Sequence, residues 1–209
     1  SPGLVFVSDL GKFGGALEAA VGSGVEVIDR VAVDALAARM VGGSEVAGRH
    51  AAIAPDDIAK ILFTSGSTGS PIGVINTHRM LCSNQQMILQ TLPFLADTPP
   101  VLVDWLPWHH TFGGNHNIGL VVYNGGSLYL DEGRPLPGAF DESVRNLREV
   151  VPTIYLNVPK GYEELARALG GDRALSTRFF STVQVLFYAA ASLSQPVSDE
   201  LERLALEAC

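Results

Sequence analysis

The chain has 209 residues, 47% hydrophobic and 17% charged, which suits one domain with a sizeable core and excludes a disordered tail or a solvated coiled coil. Lys and Arg total 14 against 22 Asp and Glu, a formal net charge of −8. With no Lys/Arg block to attract phosphate or lipid headgroups, nucleic acid and anionic membrane surfaces are excluded as natural partners.

Strand and helix patterns alternate along the chain. Leu4–Val7 is an apolar strand, 12–21 a helix with Phe13, Leu17 and Ala20 on one face, and Val25–Ile28 a second strand. A short helix is expected over 34–40. The Gly- and Ala-rich stretch 41–54 is expected as a loop, either a linker or a mobile segment. A strand over Ile58–Thr64 then meets a Gly/Ser/Thr loop at 65–73 and a short strand at 74–76. Thr77 is placed to cap a helix running to about Leu92.

Next come a strand at 101–106, a helix at 115–123, a stop at Gly125-Gly126 and a strand at 127–130. A helix over 141–150 precedes a strand at 153–158, and Pro159 opens a helix to Leu169. A strand at 183–188 and an amphipathic helix at 197–208 complete the series. This pattern predicts an α/β fold, a mostly parallel sheet flanked by helices on both faces. Ligands in such sheets sit beyond the carboxyl ends of the strands, which singles out the loops after Phe63, Leu106 and Tyr188.

No stretch reads as a membrane span, and the uncharged run Phe179 to Ser198 is interrupted by Ser, Thr, Gln and Pro196. The N-terminus shows no basic stretch followed by an apolar one, so no secretory signal is visible. Cys82 and Cys209 have no metal-ligand spacing and cannot make a disulfide framework, so a reducing, cytoplasmic setting is expected. The chain opens at Ser1 beside an apolar run and closes at Cys209 inside a helical pattern, and the expectation is a piece cut from a larger domain.

In the loop after Phe63, Thr64, Ser65, Gly66, Ser67, Thr68 and Gly69 supply four hydroxyls and two glycines in six positions. Glycines let successive N–H groups converge and hydroxyls add donors, a composition that suits an anion cradle as well as a polar surface turn. No Lys follows Gly69, so it is not a Walker A loop, and the chain has no G-x-S-x-G nucleophile elbow.

The string Thr64-Ser65-Gly66-Ser67-Thr68-Gly69-Ser70-Pro71-Ile72-Gly73 resembles the phosphate loop of the adenylate-forming superfamily, T-S-G-[ST]-T-G-x-P-K-G, at nine of ten positions. That superfamily comprises acyl- and aryl-CoA synthetases, luciferases and nonribosomal adenylation domains. The resemblance implies that residues 64–69 hold the phosphates of ATP while an acid is activated. Ile72 stands where the family has lysine. Its loss removes a charge-assisted contact while leaving the backbone cradle.

Leu106 to His116 packs three histidines, Trp108, Phe112, Gly113 and Gly114 into eleven positions. Adjacent His109 and His110 point to different sides of extended backbone, with no Cys or carboxylate nearby in sequence, so no metal site is expected. A strand end with its rings packed in the core is the plain alternative. The segment is similar to the superfamily's second motif, P-[FLW]-x-H followed by Gly, and is closest to feruloyl-CoA synthetase-like members. The resemblance places His110 beside the carboxylate and the acyl-adenylate as an orienting group. It also makes Trp108, Phe112, Gly113 and Gly114 candidate walls of an aromatic-acid pocket.

Tyr188-Ala189-Ala190-Ala191 aligns with the family's G-G-A-P-L segment, which lines the adenine and acyl pockets. Two alanines replace the glycines, and positive φ at either would be strained. The family's later motifs, which hold the Mg²⁺-binding glutamate and the adenylation lysine, lie beyond residue 209. The resemblance therefore implies a fragment of an ATP-dependent carboxylic acid–CoA ligase, with ATP, Mg²⁺ and CoA as partners in the reaction. The fragment is expected to be inactive alone and able to self-associate through apolar surface. A degenerate nucleotide- or acid-binding module and a plain structural α/β domain are the competing readings.

Overall fold

The computed structural model describes residues 3–39, 42–64, 69, 71–136 and 138–208. The chain divides into two compact units, Ser1–Ile53 and Ala54–Cys209. In the first, strand β1 (Leu4–Phe6) and strand β2 (Glu26–Ile28) pair in parallel across helix α1 (Leu10–Ala20). Helices α2 (Arg30–Ala37) and α3 (Gly43–Ala51) follow. Helices α1 and α2 begin earlier than the apolar pattern predicts because Asp9 and Asp29 cap them, accepting from Lys12 N and Ala32 N, each at 3.0 Å.

Helix α3 corrects the expectation of a loop over 41–54. Its glycines disfavour helix, but Ala and Glu favour it and the Glu45–Arg49 pair, one turn apart at 2.9 Å, supports it.

In the second unit, strands β3 (Ile58–Thr64) and β4 (Ile72–Thr77) form an antiparallel hairpin with Thr64 opposite Ile72 and Leu62 opposite Val74. Helix α4 (His78–Thr91) starts at the expected cap, Thr77 Oγ1 accepting from Met80 N at 3.3 Å. A 3₁₀ turn (Pro93–Ala96) leads to strand β5 (Val101–Asp104). That strand ends two residues before the expected Leu106, because the Asp104 carboxylate accepts from Leu106 N at 3.0 Å and turns the chain.

A π-helical segment (Phe112–Asn117) then runs into helix α5 (Ile118–Asn124). The helix ends on Gly125 at φ 65°, as a left-handed stop requires. Strand β6 (Ser127–Leu130), helix α6 (Asp141–Glu149), strand β7 (Ile154–Asn157), helix α7 (Pro159–Gly171), helix α8 (Arg173–Phe180), strand β8 (Val185–Tyr188) and helix α9 (Gln195–Ala208) complete the unit. Helix α8 lies where no element is expected, and Asp172 caps it by accepting from Leu175 N at 3.0 Å.

Strands β5 and β6 pair in parallel, as do β7 and β8. Thr153 joins the two pairs, its N donating to Val101 O at 3.0 Å and its Oγ1 accepting from Val101 N at 2.9 Å. Alternation then builds two cores. Val103 and Tyr155 point into one face with Leu147, Tyr162, Leu165, Phe179 and Leu201 of α6–α9. Leu102, Ile154 and Leu156 point to the other face, toward Leu95, Phe112 and Leu120. Both faces of these parallel strands are thus covered by helices, and the carboxyl ends of β5, β7 and β8 converge on the loops singled out above.

Candidate functional site

Three adjoining cavities lie along the carboxyl ends of these strands. The first, about 460 Å³, is lined by Leu62, Phe63, Thr64, Val74 and Asn76 of the hairpin and by His109, His110 and Thr111. The second, about 360 Å³, shares Asn76 and Thr111 with it and adds Phe112, Asn115, His116, Phe187 and Ala189. The third, about 230 Å³, shares His116 and Phe187 with the second and is otherwise walled mainly by apolar side chains such as Ile88, Leu120, Ile154 and Leu156. The hairpin end of the row is therefore the more polar, with Thr64, Asn76, His109, His110 and Thr111, and the far end almost wholly apolar, a gradient that suits an acid with its head at the hairpin.

The hairpin end is shaped by strand alternation. Residues directly opposite in an antiparallel pair share a face, so Leu62, Thr64, Ile72, Val74 and Asn76 all face one way. Thr64 is exposed at the rim, and Gly69 takes φ 82°, which favours glycine. Ser65, Gly66, Ser67 and Thr68 lie outside the described residues.

His110 lies in the wall of the same cavity as Thr64. Its Nδ1 accepts from Phe112 N at 3.3 Å, so the proton of the neutral ring sits on Nε2, leaving a donor. Phe112 is both core and wall: it is buried, and its ring meets those of His116 and Phe187 edge-on at 5.8 and 5.7 Å. Trp108 is 52% exposed and lines none of these three cavities.

Gly113 and Gly114 serve contact rather than lining. A Cβ on Gly113 would stand 2.6 Å from Pro107 O, and one on Gly114 would stand 2.0 Å from Trp108 O. The π-helical segment therefore lies directly on the preceding turn, which fixes His109 and His110 between them. Lys60 Nζ pins this packing from the hairpin, donating to Gly114 O at 2.9 Å, and partial burial holds its ammonium pKa below the usual lysine range.

Of the strand-end alanines, Ala189 lines the second cavity. Tyr188 instead packs edge-on against Tyr162 at 6.4 Å, and Ala191 is exposed. Ala190 takes φ 79°, the one positive φ outside glycine among the described residues. A side chain in the left-handed region costs about 1–2 kcal/mol, part of which a glycine gives back as unfolded-chain entropy. Ala190→Gly is thus expected to stabilise the protein by roughly 1 kcal/mol, read as a higher denaturation midpoint in urea. An unchanged or lower midpoint would show that the turn tolerates the alanine without strain.

Sequence reasoning did not single out Asn76, Asn115, His116 or Phe187 as site residues. Asn115 Nδ2 donates to Asn76 Oδ1 at 2.8 Å and to Thr111 Oγ1 at 3.1 Å, forming the neck between the first two cavities. His116 stacks on Phe187 with ring centroids 5.1 Å apart and 17° between planes. Its spacing of four from Phe112 was the available signal, since helical residues at i and i+4 share a face. Behind them Asp104, buried at the end of β5, accepts from Asn117 Nδ2 at 2.9 Å. Desolvation raises its carboxyl pKa above the ordinary range, against the opposing pull of these hydrogen bonds.

No group of three or more His, Cys, Asp or Glu among the described residues could hold a metal ion. Among the same residues, no helix is long and apolar enough to cross a membrane.

The model of one family, AMP-binding enzyme, matches residues 8–207. A medium-chain-fatty-acid–[acyl-carrier-protein] ligase of Teredinibacter turnerae is 44% identical over 76 residues, 36% of this chain and 12% of that protein. A long-chain-fatty-acid–CoA ligase of Gallus gallus is 32% identical over 125 residues, 59% of this chain and 16% of that protein. The solved structure of a malonyl-CoA ligase with methylmalonyl-CoA and AMP bound superimposes with a TM-score of 0.72 at 24% identity, covering 98% of this chain and 39% of its own. That likeness shows a shared fold, and the chain spans well under half the length of each of these proteins. With nearly all of its residues inside one family model and the α/β architecture in agreement, the chain belongs to the AMP-binding enzyme family.

Proposed function

We propose that the chain holds the nucleotide phosphates and the acid in an ATP-dependent carboxylic acid–CoA ligase acting on an aromatic acid in a reducing, cytoplasmic setting. The observation that supports this most is the row of cavities running from Thr64 and His110 to the apolar wall at His116 and Phe187. In this reading the carboxylate lies at the hairpin end and attacks the α-phosphorus of ATP, pyrophosphate leaves, and a CoA thiol then displaces AMP to give the thioester.

The N–H groups and hydroxyls of residues 64–69 cradle phosphate, and Nε2–H of His110 donates to the carboxylate and then to the acyl-adenylate. Phe112, Phe187 and His116 offer flat walls to an aryl group, which favours an aromatic acid over a straight alkyl chain. In this reading Mg²⁺ would accompany ATP and offset phosphate charge, while the residues above bind and orient the reacting groups. The relatives named above act on fatty acids or malonate, so the coarse class, acid activation, is common ground and the aryl preference rests on the cavity walls.

Titration calorimetry with ATP and with aryl and alkyl carboxylic acids tests the reading. The chain is expected to bind ATP and an aryl acid, and to release no pyrophosphate when both are supplied, because the catalytic glutamate and lysine of the resemblance are not among its residues. Failure to bind ATP would reduce it to a structural α/β domain, and acid-dependent pyrophosphate release would overturn its inactivity. Ile72 at the lysine position favours one further reading, a binding module that retains ligands without turning them over.

A further inference from the structure

Residues 112–117 are wound more loosely than an α-helix, and the carbonyls at the exit of that segment are met from outside the helix. Ile118 N donates to Gly113 O, five residues back, whereas Gly125 N at the end of α5 donates to Val121 O, four back. Passing from the first pattern to the second leaves one carbonyl more than there are amides to serve it, just beyond Gly113. Three consecutive carbonyls there take side-chain donors. Lys60 Nζ of β3 reaches Gly114 O at 2.9 Å, and Gln85 Nε2 of α4 reaches Asn115 O at 3.2 Å and His116 O at 3.5 Å.

Gln85 is the buried residue of α4, 5% exposed. A carbonyl only accepts, so the amide nitrogen must face residues 115 and 116. That orientation leaves Oε1 buried with no partner among the described residues. A buried acceptor without a donor is destabilising, and a leucine or methionine would fill the same space without one. Packing alone therefore does not account for a glutamine here, whereas the need for a donor does. Gly119 of α5 makes room for the amide: a Cβ there would stand 2.4 Å from Nε2 and 2.9 Å from the amide carbon.

The register of the segment decides what lines the acid site. Asn115 and His116 lie in the wall of the second cavity, and His116 also in that of the third. An α-helical register would rotate them by about 100° relative to α5. It would part the His116 ring from Phe187, on which it stacks at 5.1 Å.

We propose that Gln85 is a positioning residue for the acid site: its amide, together with the Lys60 ammonium, holds residues 112–117 in the π register that turns Asn115 and His116 toward the cavities. This rests on the acid-binding reading above. It makes acid affinity depend on two side chains that line none of the three cavities.

The test is Gln85→Met, with Gly119→Ala as a second way of pushing the amide off the carbonyls. Each is followed by titration calorimetry with cinnamate and with ATP, by urea denaturation, and by NMR couplings across hydrogen bonds. In the wild type the Ile118 amide nitrogen should couple to the Gly113 carbonyl carbon. In both variants that coupling should move to Gly114, and cinnamate should bind about tenfold more weakly. ATP, held by residues 64–69 in this reading, should stay within about twofold. The urea midpoint should hold, because Gln85→Met also removes the orphaned Oε1.

A lower midpoint with equal loss of both ligands would mark a merely structural role and overturns the proposal. Unchanged cinnamate affinity overturns it too, as does a wild-type coupling to Gly114. Weaker cinnamate binding with the coupling still on Gly113 overturns the register as its cause. If the wild type binds no carboxylic acid, the acid-binding reading falls and this assignment with it, whereas a coupling that still moves in Gln85→Met leaves the hold on the π register standing.

Discussion

Gly114→Ala is expected to cost about 3 kcal/mol of stability and to displace the turn that holds His109 and His110. The added Cβ would stand 2.0 Å from Trp108 O and 2.9 Å from its carbonyl carbon. Backbone cannot swing away as a side-chain tip can, so the π-helical segment must lift off the turn. Lifting it would break two contacts at once: Gly114 N donates to His110 O at 2.8 Å, and Gly114 O accepts from Lys60 Nζ at 2.9 Å. The first ties the π-helical segment to the histidine turn and the second ties it to the hairpin, so acid binding should fall along with the urea midpoint. Gly171→Ala, at the end of α7 with nothing within 4 Å of the new Cβ, serves as the control and should stay within about 1 kcal/mol. If Gly114→Ala matched that control, the close approach would not exist in solution.

Ile72→Lys should tighten ATP binding about tenfold, equivalent to about 1.4 kcal/mol. Ile72 is 55% exposed, opposite Thr64 in the hairpin register and on the same face as Val74 and Asn76, which line the first cavity. A lysine there needs no repacking, and its ammonium would reach toward the phosphate end. The exposed isoleucine contributes little to the core, so stability should change by less than about 0.5 kcal/mol. A charge acting on phosphate weakens with added salt, whereas a packing effect does not. The measurement is ATP titration at two salt concentrations for the wild type, Ile72→Lys and Ile72→Gln. A gain shared by the glutamine variant, or no gain with lysine, would show that residues 64–69 do not hold the phosphates.

These two substitutions differ in how legible they were. Position 72 could be marked from sequence, because the loop string is contiguous and the departure from its pattern is local. The structural cost at Gly114 could not, because it depends on where the chain doubles back. Two glycines after a histidine pair read equally well as pocket wall or as turn, and only the 2.0 Å approach to Trp108 O decides for packing.

Element positions show the same division. The cap at Thr77, the stop at Gly125, Pro159 at the start of α7 and the strand Ser127–Leu130 follow from residue chemistry within one turn of chain. Helix α3 forms where a Gly- and Ala-rich stretch reads as a loop, because helix-favouring neighbours and an ion pair outweigh the glycines, and helix α8 forms on an Asp cap where no element is expected.

By itself the sequence determined the α/β class, the parallel strands with two covered faces, the family, and the placing of Thr64 at a strand end and of His110 in the segment that follows β5. All of these rest on periodicity or on contiguous strings. Only the tertiary structure decided that Thr64 and His110 share one cavity, and that Trp108 stands outside the three-cavity row while Phe112 lies in its wall. It alone also placed a positive φ at Ala190 and put His116 behind a buried Asp104–Asn117 pair. The physical reason is separation along the chain. Hydrogen-bond direction and ring stacking between residues 13 to 71 positions apart are set by how strands and helices pack, and no local pattern encodes them.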